Sequence, residues 1–243
     1  MPRIMTYNVH RCVGVDGRLD VGRVASVIAQ ARPDIVALQE LDVDRPRTGT
    51  VDQAHAIAHR LGMGFHFHAA VQVEEERYGD AILSTAPLRV IKAAALPGSK
   101  AIKALEPRGA LWLELQIEGC ALQVINTHLG LVPHEQRAQA QVLAGADWIG
   151  HRDRRDPMIL LGDFNATPHQ AVYKTLSGVL TDARALARGA RAGPTFPSRF
   201  PMLAIDHVFV SKGVEVTSVQ TYAAPLARAA SDHLPLVVDF KLG

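Results

Sequence analysis

Polar residues close five separate apolar runs of this chain. Asn8 follows Thr6-Tyr7, Glu40 follows Leu38-Gln39, and His128 follows Asn126-Thr127. Asp163 and Asn165 share the segment Gly162-Asp163-Phe164-Asn165, and Asp232 and His233 follow Ser231. A short continuous apolar run reads as a strand buried on both faces, so each polar end projects from a sheet edge. Brought together, three carboxylates, two amides and two imidazoles offer hard oxygen donors for a divalent cation, a base for water, and cationic groups for a phosphate. That combination suits metal-assisted hydrolysis of a phosphate ester.

Taken singly, each segment also has an ordinary explanation. Glu40 can be a solvated carboxylate at a strand end or a magnesium ligand. Asp163 and Asn165 can form a turn; being two apart at a strand terminus, they also face the same side, so a carboxylate can take a proton from water while an amide holds a phosphate oxygen. Asp232 and His233 are adjacent and must serve different neighbours, one approaching a metal and the other a phosphate. Asp206 lies in Ile205-Asp206-His207-Val208 and needs a partner, because a bare buried charge is costly. A histidine would be raised in pKa and kept cationic by it; an arginine is the alternative. Arg108, in Glu106-Pro107-Arg108-Gly109, is either a surface residue at a strand entry or a planar fork reaching a substrate phosphate. Phe196 is read as a packed ring.

Elements must carry these residues to one place. Strands are predicted over 3–9, 35–38, 81–83, 90–96, 110–117, 121–126, 158–161, 203–210, 214–222 and 234–240. Helices are predicted over 21–31 with Asp20 as N-cap, over 52–61 ending at Gly62, over about 134–150, and starting at Pro168. Strands and helices intermix, with a strand meander in the middle, which fits sheets covered by helices. Residues 184–193 read as a surface loop inside one domain spanning 1–243.

Bulk properties narrow the class. With 243 residues, 48% hydrophobic and 21% charged, the chain has the composition of a globular protein and length enough for a large core. A formal net charge of +2 and 5% aromatic residues give no broad basic, base-stacking surface for nucleic acid. Cys12 and Cys120 are expected to be reduced and mostly buried. No apolar stretch is long enough to span a bilayer, and a strand-like run starts just after Met1, so a cytoplasmic location is expected.

The same segments, with Tyr78-Gly79-Asp80-Ala81-Ile82-Leu83-Ser84 and Asn126-Thr127-His128-Leu129, occur in an order that resembles the endonuclease/exonuclease/phosphatase superfamily nearly end to end. The resemblance implies an α/β fold, a four-layer α/β sandwich of two mixed β-sheets packed face to face with helices outside. It implies Glu40 as principal metal ligand with Asn8 beside it and Asp232 at or near the metal. It further implies Asp163 as the group that orients or deprotonates water, Asn165 close to the phosphate, His233 on the scissile phosphate oriented by Asp206, and His128 as a second phosphate-binding histidine. The implied ion is Mg2+, with Mn2+ or another divalent cation as the alternative. Two departures weaken a DNA-repair reading: His10 stands where abasic-site endonucleases carry a carboxylate, and those enzymes lack Asn-Thr-His-Leu. Asp80 also replaces a common Asn. The expected substrate is a phosphate ester of a small molecule or lipid headgroup, with DNA or RNA as the alternative and a non-catalytic binding module last. Oligomeric state is not legible.

Overall fold

The computed structural model describes residues 1–98, 105–152, 154–187 and 192–243. In chain order these form β1 (Arg3–Asn8), α1 (Val21–Ala31), β2 (Ile35–Val43), α2 (Gln53–Leu61), β3 (Gly64–Val73), β4 (Glu76–Ser84), β5 (Leu88–Ala95), β6 (Gly109–Ile117), β7 (Cys120–His128), α3 (Pro133–Ala144), β8 (Met158–Asp163), α4 (Ala171–Ser177), β9 (Thr181–Asp182), α5 (Ala183–Leu186), β10 (Asp206–Val210), β11 (Val214–Thr221), α6 (Pro225–Ala230) and β12 (Leu236–Leu242). The Asp20 and Asp52 carboxylates accept the Arg23 and His55 amides and start α1 and α2, as their positions before apolar-periodic runs predict. Gly62 ends α2 in the left-handed region.

Two six-stranded sheets result, ordered β11-β12-β1-β2-β4-β3 and β5-β6-β7-β8-β10-β9. Each is mixed and holds one parallel pair: β1 with β2, and β7 with β8. The inner faces meet in a core that includes Ile4, Ile35 and Ile82 from one sheet and Leu113, Val124 and Leu161 from the other. A second apolar cluster joins the outer face of the first sheet to α1, α2 and α6; a third joins the outer face of the second to α3 and α4. The four layers expected from the resemblance are these: helices, sheet, sheet, helices.

A polar link crosses the inner core. Asn126 donates to the Leu38 and Ala81 carbonyls of the opposite sheet, each at 2.9 Å, and accepts from Gln39 Nε2 at 2.7 Å. Fully satisfied, it fixes the two sheets in one relative position.

Several boundaries differ from the sequence expectation. The predicted 134–150 helix stops at Ala144, where Gly145 takes an extended conformation; the following turn still buries Trp148 and Ile149. The predicted 203–210 strand starts only at Asp206, Leu203 instead bridging to Phe196. Pro168 stands in the turn before α4, which begins at Ala171. The edge strand β3 was not predicted, because its half-exposed residues carry no clean alternation. Cys120 is exposed rather than buried; Cys12 is buried, and both are free. The stretch expected as a 184–193 loop begins inside α5, its residues 184–186 being helical, and its residues 188–191 lie outside the described residues. No helix among the described residues is long and apolar enough to cross a membrane.

Candidate active site

Both parallel pairs point their C-terminal ends the same way. Asn8 ends β1, His128 ends β7 and Asp163 ends β8, while Asp206 begins the antiparallel β10 and lies opposite Asp163. Glu40 does not end its strand. β2 continues to Val43, and between Leu38 and Leu41 it carries one residue more than β4 opposite. Glu40 takes up this bulge with φ of 60°, and its backbone amide reaches the Asp80 carboxylate. The extra residue turns the Glu40 side chain toward Asn8.

Asp163 is the junction. Its Oδ2 accepts from Asn8 Nδ2 at 3.0 Å and lies 3.6 Å from both His128 Nε2 and His233 Nε2. The same Asn8 amide donates to Glu40 Oε1 at 3.0 Å, so one residue links two carboxylates. Asn8 Oδ1 faces away and accepts the His10 amide at 3.1 Å. The other oxygen of Asp163, Oδ1, accepts the Asn165 amide at 2.9 Å. Asn165 therefore enters the site through a side-chain-to-backbone turn, with φ of 48°, rather than by strand alternation. Gly162 makes this approach possible. At φ of 148° it lies so close to β7 that a Cβ would stand 1.8 Å from the Thr127 carbonyl oxygen.

The two imidazoles differ in charge. Burial opposes protonation of His233, but Asp206 and Asp163 on its two sides outweigh it and raise its pKa to about 10. The contact with Asp206 Oδ2 is 2.9 Å from Nδ1. Histidine is thus the partner of Asp206, as one of the two readings held. His128 departs from the expectation of two cationic imidazoles. Burial, then the Arg108 guanidinium and the charge on His233, push it well below its ordinary value, so its ring is neutral. Arg108 Nη1 stands 3.3 Å from Nδ1 and Asn165 Nδ2 3.1 Å from Nε2. Burial also raises the Asp163 carboxyl; His233 counteracts this, and Asp206 adds to the rise.

Arg108 is buried, which removes the surface reading. It pairs with Glu106 at 3.3 Å and lies in the field of Tyr78 and Asp80. Its Nε is buried without a partner. Tyr78 and Asp80, to which the sequence assigns no role, join the site beside Arg108. The signal was a carboxylate opening the apolar run Ala81-Ile82-Leu83, where burial raises it to about 7. Asp232 and His233 do serve different neighbours: Asp232 faces His10, at 4.0 Å, while His233 meets Asp206 and Asp163. His207 turns to the opposite side, contacting the Ala166 carbonyl at 2.7 Å. Phe196 is packed, its ring 4.9 Å from that of His233.

Two groups of donors fit a hard cation. Asp163, Asp206 and His233 offer ligand atoms all within 4.8 Å of one another, and Asp206 Oδ1 is buried without a partner. His233 Nδ1 and Asp206 Oδ2 are already joined, however, which makes that trio better suited to holding an imidazolium than an ion. Glu40 is only partly buried and offers a carboxylate beside the Asn8 side chain, a hard oxygen donor with one face left open.

A four-layer sandwich that brings Glu40, Asn8, Asp163, His128 and His233 together at one edge defines a phosphohydrolase-type scaffold, and the chain belongs to the endonuclease/exonuclease/phosphatase family, whose profile matches residues 5–233. Enzymes of this family are phosphoesterases or nucleases. Uncharacterized protein YbhP of Escherichia coli (strain K12) is 27% identical over 258 aligned positions, covering 99% of this chain and 96% of that protein. An endonuclease/exonuclease/phosphatase from Beutenbergia cavernae DSM 12333 matches in crystal structure over 100% of this chain and 72% of its own, with a TM-score of 0.81 and 26% identity. The mannosyl-6-phosphatase Bt3783 of Bacteroides thetaiotaomicron VPI-5482 shares the fold over the full length of both chains, with a TM-score of 0.79 and 21% identity.

Proposed function

We propose that this protein hydrolyses phosphate esters with the aid of a divalent cation, acting on a small molecule or a lipid headgroup. The observation that carries this reading is the Asp163 carboxylate set between one imidazolium, one neutral imidazole and an amide shared with Glu40.

Glu40 is the residue to hold the ion, taken to be Mg2+ with Mn2+ as the alternative. Asn8 joins it through Oδ1 only after its amide turns over, since Nδ2 now faces both carboxylates. Asp232, facing His10, is at the outer edge of this position. When bound, a divalent ion supplies Lewis-acid stabilisation of charge on phosphate oxygens.

The chain supplies the rest. Asp163, its pKa raised by burial, holds the attacking water and takes its proton at Oδ2. The imidazolium of His233 sets a fixed positive charge beside the phosphate, where charge grows in the transition state. Asp206 keeps that charge in place and fixes which nitrogen faces the substrate. Neutral His128 and the Asn165 amide position phosphate oxygens by hydrogen bonds. Arg108 orients His128 through Nη1 and adds its positive charge behind the phosphate position.

The test is hydrolysis of bis(p-nitrophenyl) phosphate and p-nitrophenyl phosphate, with Mg2+, with Mn2+ and with chelator. Turnover that needs the ion is expected on at least one ester. No turnover of either with any divalent ion would contradict the reading. Nicking of a plasmid at low salt without turnover of the small esters would instead favour nucleic acid.

A further inference from the structure

Three of the large apolar side chains left in water share one short turn beside His233. Phe200 is 78% exposed and Met202 72%, with Leu203 exposed beside them. All three lie on the turn 196–203, closed by the bridge between Phe196 and Leu203, and the Phe196 ring packs against His233.

The turn is rigidly built. The Phe200 amide donates to the Pro197 carbonyl, and the Met202 and Leu203 amides donate to that of Phe196. Ser198 Oγ donates to the Arg228 and Ser231 carbonyls. Arg228 Nη1 donates to the Ser198 and Arg199 carbonyls, and Arg199 Nη2 donates to that of Val15. Phe200 and Met202 are thus held out by a fixed scaffold, and clustered exposed apolar groups mark a contact surface.

The size and charge of the tip indicate what covers it. A stable protein interface takes about 800 Å2 from each partner, far more than three side chains on a narrow turn provide. Interfacial insertion needs only a few apolar groups with a cation at their base. Residues 183–205 contain no Asp or Glu, and Arg199 is exposed next to Phe200. We propose that the turn 196–203 docks the protein on a lipid bilayer, with Phe200 and Met202 among the acyl chains and Arg199 at the level of the headgroup phosphates. Docked in this way, His233 faces the phosphate esters of the headgroups; this last step rests on the proposed function.

The experiment is co-sedimentation of the full chain with phosphatidylcholine/phosphatidylglycerol vesicles, run beside turnover of bis(p-nitrophenyl) phosphate in solution. The wild type should pellet with vesicles. Phe200→Ser and Met202→Ser should each weaken this about tenfold or more, the size expected for withdrawing one large apolar group, with turnover in solution unchanged. Phe200→Trp should show a blue-shifted emission on adding vesicles. A wild type that stays in the supernatant, or a Phe200→Ser variant that pellets equally well, would overturn the proposal. So would sedimentation velocity showing a dimer that Phe200→Ser dissociates, without vesicle uptake. Vesicle binding without turnover of any ester would support the docking and count against the hydrolase reading alone.

Discussion

Asp206 decides what His233 can do. With a carboxylate on each side the imidazolium persists until the pH approaches about 10, so the alkaline limb of the pH–rate profile belongs there. Asp206→Asn removes the stronger of the two carboxylate influences. The folded-state pKa then falls, and the limb should move down toward neutrality. At pH 9 the variant should be at least about tenfold slower than the wild type, and less impaired near pH 6. A limb that stays in place would mean that His233 does not act as a cation. On the acid side, the raised Asp163 carboxyl stays protonated above the ordinary carboxylate value of 3.8, so its base form appears only as pH rises toward neutral. Activity should therefore be lost on acidification well before pH 4. The Asp206–histidine pairing was legible in the sequence because a bare carboxylate in an apolar run needs a partner. The burial of Arg108 was not: its neighbours Tyr78, Asp80 and His128 come from strands distant in the chain, and only the fold sets them around it.

At the scale of elements, the site depends on two places where a strand departs from regularity. Glu40 reaches Asn8 because β2 carries one residue too many, and Asp163 reaches the mouth because Gly162 lets β8 run against β7. Periodicity reveals strands β1, β2, β7 and β8, since their apolar runs are continuous. It does not reveal a bulge, which is fixed by pairing with β4 and by the Asp80 carboxylate beneath the Glu40 amide. Gly162→Ala forces a Cβ onto the Thr127 carbonyl and into a φ that favours glycine. It should cost more than about 1 kcal/mol by urea unfolding, and lower turnover more than stability requires because Asp163 moves with it. Asn126, expected only as one more polar strand end, proves to be a structural link between the sheets. Asn126→Ala leaves the Leu38 and Ala81 carbonyls buried without donors. A loss of about 1–3 kcal/mol per carbonyl is expected in the same measurement.

On the scale of the molecule, the two sheets share one inner core, and neither can bury its inner face alone. Leu113 is wholly buried there. Leu113→Ala should lower stability by about 2–5 kcal/mol while leaving a single unfolding transition, as seen by circular dichroism and tryptophan fluorescence together. The order of chemical residues along the chain was enough to indicate the family, because strand ends, one bulge and the turns beside them bring these residues to one edge of the sandwich. The substrate was not legible, since exposed side chains on loops such as 196–203 follow no period that points to a ligand. The central claim is that those strand ends form one hydrolytic site around Asp163. It is tested most directly by comparing wild type and Asp163→Asn in turnover of bis(p-nitrophenyl) phosphate with saturating Mg2+, at matched thermal stability. The account predicts a fall in kcat of about 10²–10⁴ with the fold intact; turnover by Asp163→Asn within a factor of a few of the wild type would contradict it.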